Sequence, residues 1–325
     1  MMTRSKTPLT IPKQADRVLS IQSHVVHGYV GNKAATFPLQ TLNWDVDVLN
    51  SVNFSNHTGY GSWKGHSCTG EEIEQLFEGL EGIHTHYEAI LTGYIHGSSA
   101  LMCVGQKCIS IKSSYPETLW LLDPVMGDEG QLYVSEDAIP IYRDILCCRL
   151  VDIITPNQFE LELLLDVKIT SLESLKVAVN LVHKEYNVKY LVISSLTLTA
   201  EDLGLGSAKK GKMYSCISSA ESGKIVFFEI DKYDSYFTGV GDLFSALLLD
   251  RLYKTRDVII STNQVLTIMS KVLYVTRELC LKDLGKEVKA KMGDSRSMKE
   301  CELRIVECMD MYSEDDCDYT PFELS

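Results

Sequence analysis

The stretch Phe237-Thr-Gly-Val-Gly-Asp-Leu-Phe-Ser-Ala-Leu-Leu248 sets two glycines and an acid directly ahead of an apolar helical run. Glycines let the backbone turn tightly and present successive N–H groups. The first-turn amides of a helix are unpaired and lie at the positive end of its dipole, so Gly239, Val240 and Gly241 can cradle an anion. Asp242 is then either the cap of that helix or a base beside the anion. The Gly-x-Gly lacks the third glycine and the first-strand position of a dinucleotide fingerprint.

Leu119-Trp-Leu-Leu-Asp-Pro-Val-Met-Gly-Asp128 supplies a second acidic centre. An apolar strand delivers Asp123 to its carboxyl end, Pro124 stops the strand, and Gly127-Asp128 turns the chain. Such a pair suits a hard cation held by oxygens or ordered waters, or is simply an aspartate-bearing turn. In Val151-Asp-Ile-Ile-Thr-Pro-Asn-Gln-Phe-Glu160, Asn157 and Glu160 have capping-box spacing ahead of a helix over Gln158–Leu165. The functional alternative is a Glu160 carboxylate that holds magnesium-bound water. Near the N-terminus, a strand ending at Ser23 runs into His24-Val-Val-His27-Gly-Tyr-Val-Gly-Asn32. The two histidines lack a third metal partner. Asn53–Gly61 is crowded with hydrogen-bonding and aromatic groups that suit a small polar aromatic ligand or a well-bonded turn, and Leu91-Thr-Gly-Tyr94 offers a phenol at the same rim.

Positioning these groups requires a sheet. Short apolar runs at Arg17–Gln22, Val46–Val52, Ala89–Gly93, Leu119–Asp123, Asp152–Ile154 and Tyr190–Ser194 read as strands covered on both faces. Helical patterns alternate with them over Asn32–Leu42, Glu71–Leu80, Ser98–Ser113, Asp137–Cys147 and Ser171–Glu185. The alternation predicts an α/β protein with a mostly parallel central sheet flanked by helices on both faces. Late in the chain, Lys212–Ser218 and Lys224–Ile230 read as a β-hairpin about Ala220-Glu-Ser-Gly223. Long helices are expected over Asp242–Tyr253 and Asp257–Asp283, and a last one over Arg296–Met311. Residues 1–16 read as a disordered arm, 17–311 as a single domain and 312–325 as a disordered acidic tail. Leu198–Lys212 reads as a mobile flap or plain loop. In such sheets ligands collect at the carboxyl ends of the strands, where the chemically capable residues fall.

With 325 residues and 45% hydrophobic content, the chain has enough material for a large core. Its net charge of −13 argues against gripping nucleic acid, though not against a small phosphate-bearing ligand. The ten cysteines contain no Cys-x-x-Cys and read as reduced thiols. The first residues lack the apolar core of a secretory signal, and no stretch approaches eighteen apolar residues, so neither secretion nor a membrane span is expected.

Taken together and in order, these segments resemble the pyridoxal kinases of the ribokinase-like superfamily. The resemblance rests on Ser20–Val25, Gly28–Asn32, Ala34–Gln40, Asn50–Tyr60, Leu91–Tyr94, Asp123–Asp128, Ile153–Glu160, Ser194-Ser195 and Gly239–Phe244, and spans about 17–252. It implies ATP-dependent phosphorylation of the 5′-hydroxymethyl group of pyridoxal, pyridoxine and pyridoxamine. By the same resemblance Asp242 would be the general base, with the Gly239, Val240 and Gly241 amides as anion hole. Ser23, Val30, Thr58 and Tyr94 would frame the pyridine ring. Asp128 would sit by the nucleotide-bound Mg2+, with Asn157 and Glu160 close behind, and Asp123, Thr155 and Ser194 would line a monovalent-cation site for K+ or Na+. Ser195, Tyr133, Tyr233, Asp234 and Ser235 would touch the nucleotide. A homodimer and a location in the cytoplasm, with the nucleus as a second compartment, are further implications of the resemblance. Val240 stands where the commonest family version has threonine, which removes a hydroxyl from the cradle and keeps its amide. The segment after Asp128, Glu129–Tyr133, is shorter than in animal relatives.

Overall fold

Short apolar runs, most of them followed by a helical segment, assemble here into one layer with helices on either side. The computed structural model describes residues 11, 13–128, 130–207, 210–233, 235–285 and 289–324. In chain order the elements are β1 (Asp16–Val25), α1 (Asn32–Thr41), β2 (Trp44–Phe54), β3 (Gly65–Ser67), α2 (Gly70–Gly82), β4 (Ala89–Thr92), α3 (Ser98–Ser114) and β5 (Leu119–Leu122). A small ribbon follows, β6 (Gly127–Asp128) and β7 (Gln131–Leu132), then α4 (Ala138–Cys147), β8 (Ile153–Ile154), α5 (Gln158–Leu165), α6 (Leu172–Tyr186) and β9 (Tyr190–Leu196). The chain finishes with β10 (Lys212–Ser219), β11 (Ile225–Asp231), α7 (Val240–Thr255), α8 (Val258–Leu284), α9 (Ser295–Glu300) and β12 (Phe322–Glu323).

The ten-stranded sheet runs β12-β11-β10-β9-β8-β5-β4-β1-β2-β3. Strands β2, β1, β4, β5, β8 and β9 are parallel, whereas β10, β11 and β12 add on antiparallel at one edge and β3 at the other. Neighbouring residues of one strand feed opposite cores, as the period of two demands. Leu19, Ile90, Trp120, Leu122, Ile154 and Leu191 pack under α2–α6. Val18, Ala89, Leu91, Leu121, Ile153 and Val192 pack under α1, α7 and α8.

Three expectations change near the C-terminus. The helix anticipated over Arg296–Met311 stops at Glu300, because Cys301, Leu303 and Ile305 are buried at alternate positions, a spacing that an extended chain satisfies and a helix does not. The tail anticipated as disordered is instead packed through residue 324. Its acids meet Lys271, which pairs with Glu314 and Asp316. Asn263 exchanges two hydrogen bonds with the Tyr319 backbone, at 2.6 and 3.0 Å, and Phe322 of β12 stacks on Phe227. The segment after 311 therefore packs on the body of the protein. Finally, α8 is, by length and composition, apolar enough to cross a membrane, contrary to the reading of the sequence; much of it is covered by α7 and the sheet, with Val265, Val272 and Thr276 fully enclosed. Residues 198–207 are turns anchored by the buried Leu198, Ala200 and Leu203, not a free flap. The anticipated N-terminal arm lies mostly outside the described residues.

Candidate active site

One cavity of about 490 Å³ opens at the carboxyl ends of the parallel strands, beneath the first turn of α7. Its wall contains Ser23, Val30, Thr58, Tyr94, Asp123, Asp128, Tyr133, Thr155, Asn157, Glu160, Ser194, Ser195, Tyr233, Ser235, Gly239, Val240, Gly241 and Asp242. Every site residue anticipated from the sequence is thus on one surface, apart from Asp234, which lies outside the described residues.

Helix α7 begins without a side-chain cap. Gly239 occupies the cap position at φ +84°, and a Cβ there would stand 1.9 Å from the Tyr29 carbonyl, so only glycine fits. The first-turn amides consequently point into the cavity unpaired by any cap. Asp242 sits inside that turn, which removes the capping alternative, and its carboxylate accepts a hydrogen bond from the Gly31 amide. Burial pushes the Asp242 carboxyl above the usual range, with the Gly31 amide and His57 acting in the opposite direction. Behind it, Asp123 is 5% exposed and accepts a 2.9 Å hydrogen bond from Ser245 Oγ, which also lies 3.0 Å from Thr155 Oγ1. Burial and then the charge of Asp242 push the Asp123 carboxyl up to about 7, against the pull of the Ser245 and Thr155 hydroxyls. The repulsion belongs to the pair, and the more enclosed member carries it.

Of the two readings of Asn157 and Glu160, the structure shows the capping one. The two residues form a reciprocal capping box on α5, and both face the cavity. Glu160 Oε1 accepts from the amides of Met126 (2.8 Å) and Gly127 (3.3 Å), and Oε2 from that of Asn157 (3.0 Å). Asn157 Nδ2 in turn donates to the Gly127 carbonyl at 2.8 Å. Burial and the Asp123 charge nevertheless push Glu160 well above the usual carboxyl range. A carboxylate so engaged has little left for direct metal ligation; it can brace the Gly127-Asp128 turn and accept from a metal-bound water.

The cavity has two apolar ends. Val25, Val30, Val52 and Phe54 cluster with Tyr94 at the β1–β2 side, next to the single turn Thr58–Tyr60. At the other end Met213, Ile230, Leu266, Met269, Leu273 and Tyr319 converge. Tyr133, expected at the nucleotide, lines the cavity and links two of its other wall residues: its phenol meets that of Tyr236 at 2.9 Å and its carbonyl accepts from Tyr94. Reading the sequence missed His57, Met292 and Tyr319 as wall residues. His57 lay within a loop already singled out. Tyr319 was hidden in an acidic stretch whose only hint was its interspersed aromatics.

The wall fits a polyanion accompanied by cations. It holds five acids, Asp123, Asp128, Glu160, Asp231 and Asp242, against Lys232 as the one Lys or Arg among the described lining residues. Its candidate metal donors are all oxygens, as Mg2+ and K+ prefer. Thr238 Oγ1, next to the cradle, is buried without a hydrogen-bond partner among the described residues. Among the described residues no three His, Cys, Asp or Glu side chains form a metal-holding group, neither His24 and His27 nor these acids, so a cation here would also need hydroxyl, backbone, water or phosphate oxygens.

Fold and cavity together define a small-molecule kinase of ribokinase-like architecture. The family model for phosphomethylpyrimidine kinase matches residues 60–273. The chain is 46% identical to the Saccharomyces cerevisiae protein BUD16, covering 91% of this chain and 95% of that one. It is 43% identical to the pyridoxal kinase of Arabidopsis thaliana, covering 82% and 86%. Pyridoxal kinase from Leishmania donovani in complex with ADP and pyridoxamine superposes with a TM-score of 0.80 at 30% identity, covering 94% and 99%. The chain belongs to the pyridoxal kinase family.

Proposed function

We propose that the cavity binds ATP and a B6 vitamer at once and transfers the γ-phosphoryl group to the vitamer's 5′-hydroxymethyl oxygen. The observation that carries this reading is the position of Asp242, inside the uncapped first turn of α7 and on the same wall as the β1–β2 apolar end. Val30, Thr58 and Tyr94 hold the pyridine ring, and Ser23 offers a hydroxyl to its polar edge. Asp242 takes the proton of the hydroxymethyl group as its oxygen attacks the γ-phosphorus and ADP departs. The amides of Gly239, Val240 and Gly241 hold the charge on the transferring group, the part of phosphoryl transfer in which a protein contributes most. The apolar end at Leu266, Met269, Leu273 and Tyr319 takes the purine, with Ser195, Tyr233 and Ser235 beside it.

Asp128, with Glu160 behind it, would hold Mg2+, and Asp123, Thr155 and Ser194 a monovalent cation. When bound, these ions supply the positive charge that so acidic a wall needs before it can admit a triphosphate. The name of the matching family model favours one second reading, a kinase for a hydroxymethylpyrimidine. Family membership alone supports a homodimer, and sedimentation would test it. Incubation with ATP, Mg2+, K+ and either pyridoxal or hydroxymethylpyrimidine tests the substrate. Pyridoxal 5′-phosphate should form at the greater kcat/KM; preference for the pyrimidine would overturn the assignment.

A further inference from the structure

Glu302 lies behind the β1–β2 end of the cavity and is not part of its wall. The side chain is only 10% exposed. Its Oε2 accepts from the Tyr29 amide at 2.9 Å, and its Oε1 accepts from the Tyr60 phenol at 2.8 Å and stands 3.2 Å from His57 Nε2. Burial pushes this carboxyl up, but His57, the Tyr29 amide and Tyr60 outweigh it and hold it below the usual range, so it is an anion at neutral pH. All three partners come from the loops that build the vitamer end: Tyr29 precedes Val30, and His57 and Tyr60 bracket Thr58. Gly28, at φ +88°, leaves room for the acid, since a Cβ there would stand 2.3 Å from Glu302 Oε1.

The acid is itself held firmly. Leu303 and Ile305 next to it are fully buried, and α9 packs against the Thr58–Tyr60 turn. Nearby, the Gly293 amide donates to the Gly59 carbonyl at 2.8 Å and the Ala290 amide to Ser235 Oγ at 3.1 Å. A buried carboxylate that served only stability could take any donors; among the described residues this one takes its donors from the two loops that carry Val30 and Thr58.

We propose that Glu302 is a positioning residue for the acceptor substrate: through Tyr29, Tyr60 and His57 it fixes Val30 and Thr58 at the vitamer end and keeps His57 beside Asp242. The inference rests on the kinase reading above. Glu302→Gln keeps the shape and one acceptor but loses the charge and the second anionic oxygen. In the full-length protein it should raise KM for pyridoxal about tenfold, as expected for loss of a hydrogen bond to a charged group. KM for ATP should stay within about twofold and the melting temperature close to wild type. Tyr60→Phe, which leaves the carboxylate in place, should give a smaller rise confined to pyridoxal, and decides the matter if Glu302→Gln does not fold. An unchanged KM for pyridoxal, or equal rises for both substrates that follow a fall in melting temperature, would overturn the proposal. Wild-type protein that makes no pyridoxal 5′-phosphate would instead overturn the kinase reading beneath it.

Discussion

Asp123→Asn should make the cation-free protein more stable and a poorer kinase. Asp123 is 5% exposed, and burial plus the Asp242 charge push its carboxyl from the ordinary 3.8 up to about 7. Between those two values the folded chain binds more protons at this site than the unfolded chain does. Stability therefore falls as pH rises through that window and stays low above it. A shift of about three units corresponds to roughly 4 kcal/mol at 1.36 kcal/mol per unit. Asparagine keeps an acceptor for Ser245 Oγ and removes the charge. Thermal unfolding in a buffer free of K+, Na+ and Mg2+ should then show the variant melting several degrees above wild type at pH 8. The two should converge near pH 4, where the wild-type carboxyl is protonated. Added K+ should raise the wild-type melting temperature and leave the variant unmoved, while kcat drops in the variant because the charge that would hold the cation is gone. Parallel melting curves across pH, or a variant less stable than wild type at pH 8, would refute the argument.

Other consequences concern the cradle and the tail. Thr238→Val should lower kcat/KM for ATP about tenfold without loss of stability, since the Thr238 hydroxyl borders the cavity without a protein partner among the described residues and a turn about χ1 would offer it to phosphate. Val240→Thr should be at least as active as wild type and should recover part of that loss in the double variant; steady-state kinetics on the three proteins would show it. Tyr319→Ala should raise KM for ATP several-fold and leave KM for pyridoxal unchanged, because Tyr319 lines the end of the cavity away from Val30 and Thr58.

Much of the architecture was legible because covered strands are mostly apolar, and the parallel strands other than β2, β5 and β9 lead into a helix. The acids at 123, 128 and 242 could be found for the same reason: they follow a strand or open a helix, and the fold places such positions at one edge. The C-terminal third was harder. Arg296–Met311 mixes charged and apolar residues as a surface helix does, yet burial of Cys301, Leu303 and Ile305 at alternate positions keeps 302–304 out of a helix, and turns and a short 3-10 helix over Met309–Ser313 follow. Residues 312–325 look solvated by composition, but Lys271 and Arg251, fixed on α8 and α7, neutralise or bind that segment and let Tyr312, Tyr319 and Phe322 pack. Glu302 carried no local signal whatever. Its meaning depends on Tyr29 and Tyr60, more than two hundred residues away in sequence, and only tertiary structure brings the three together.

The most direct measurement compares wild type with Asp242→Asn for formation of pyridoxal 5′-phosphate from ATP and pyridoxal, in the presence of Mg2+ and K+. Loss of a positioned general base predicts a fall in kcat of about a hundredfold or more, with a folded protein and little change in either KM. An Asp242→Asn protein that turns over as fast as wild type would contradict the account at its centre.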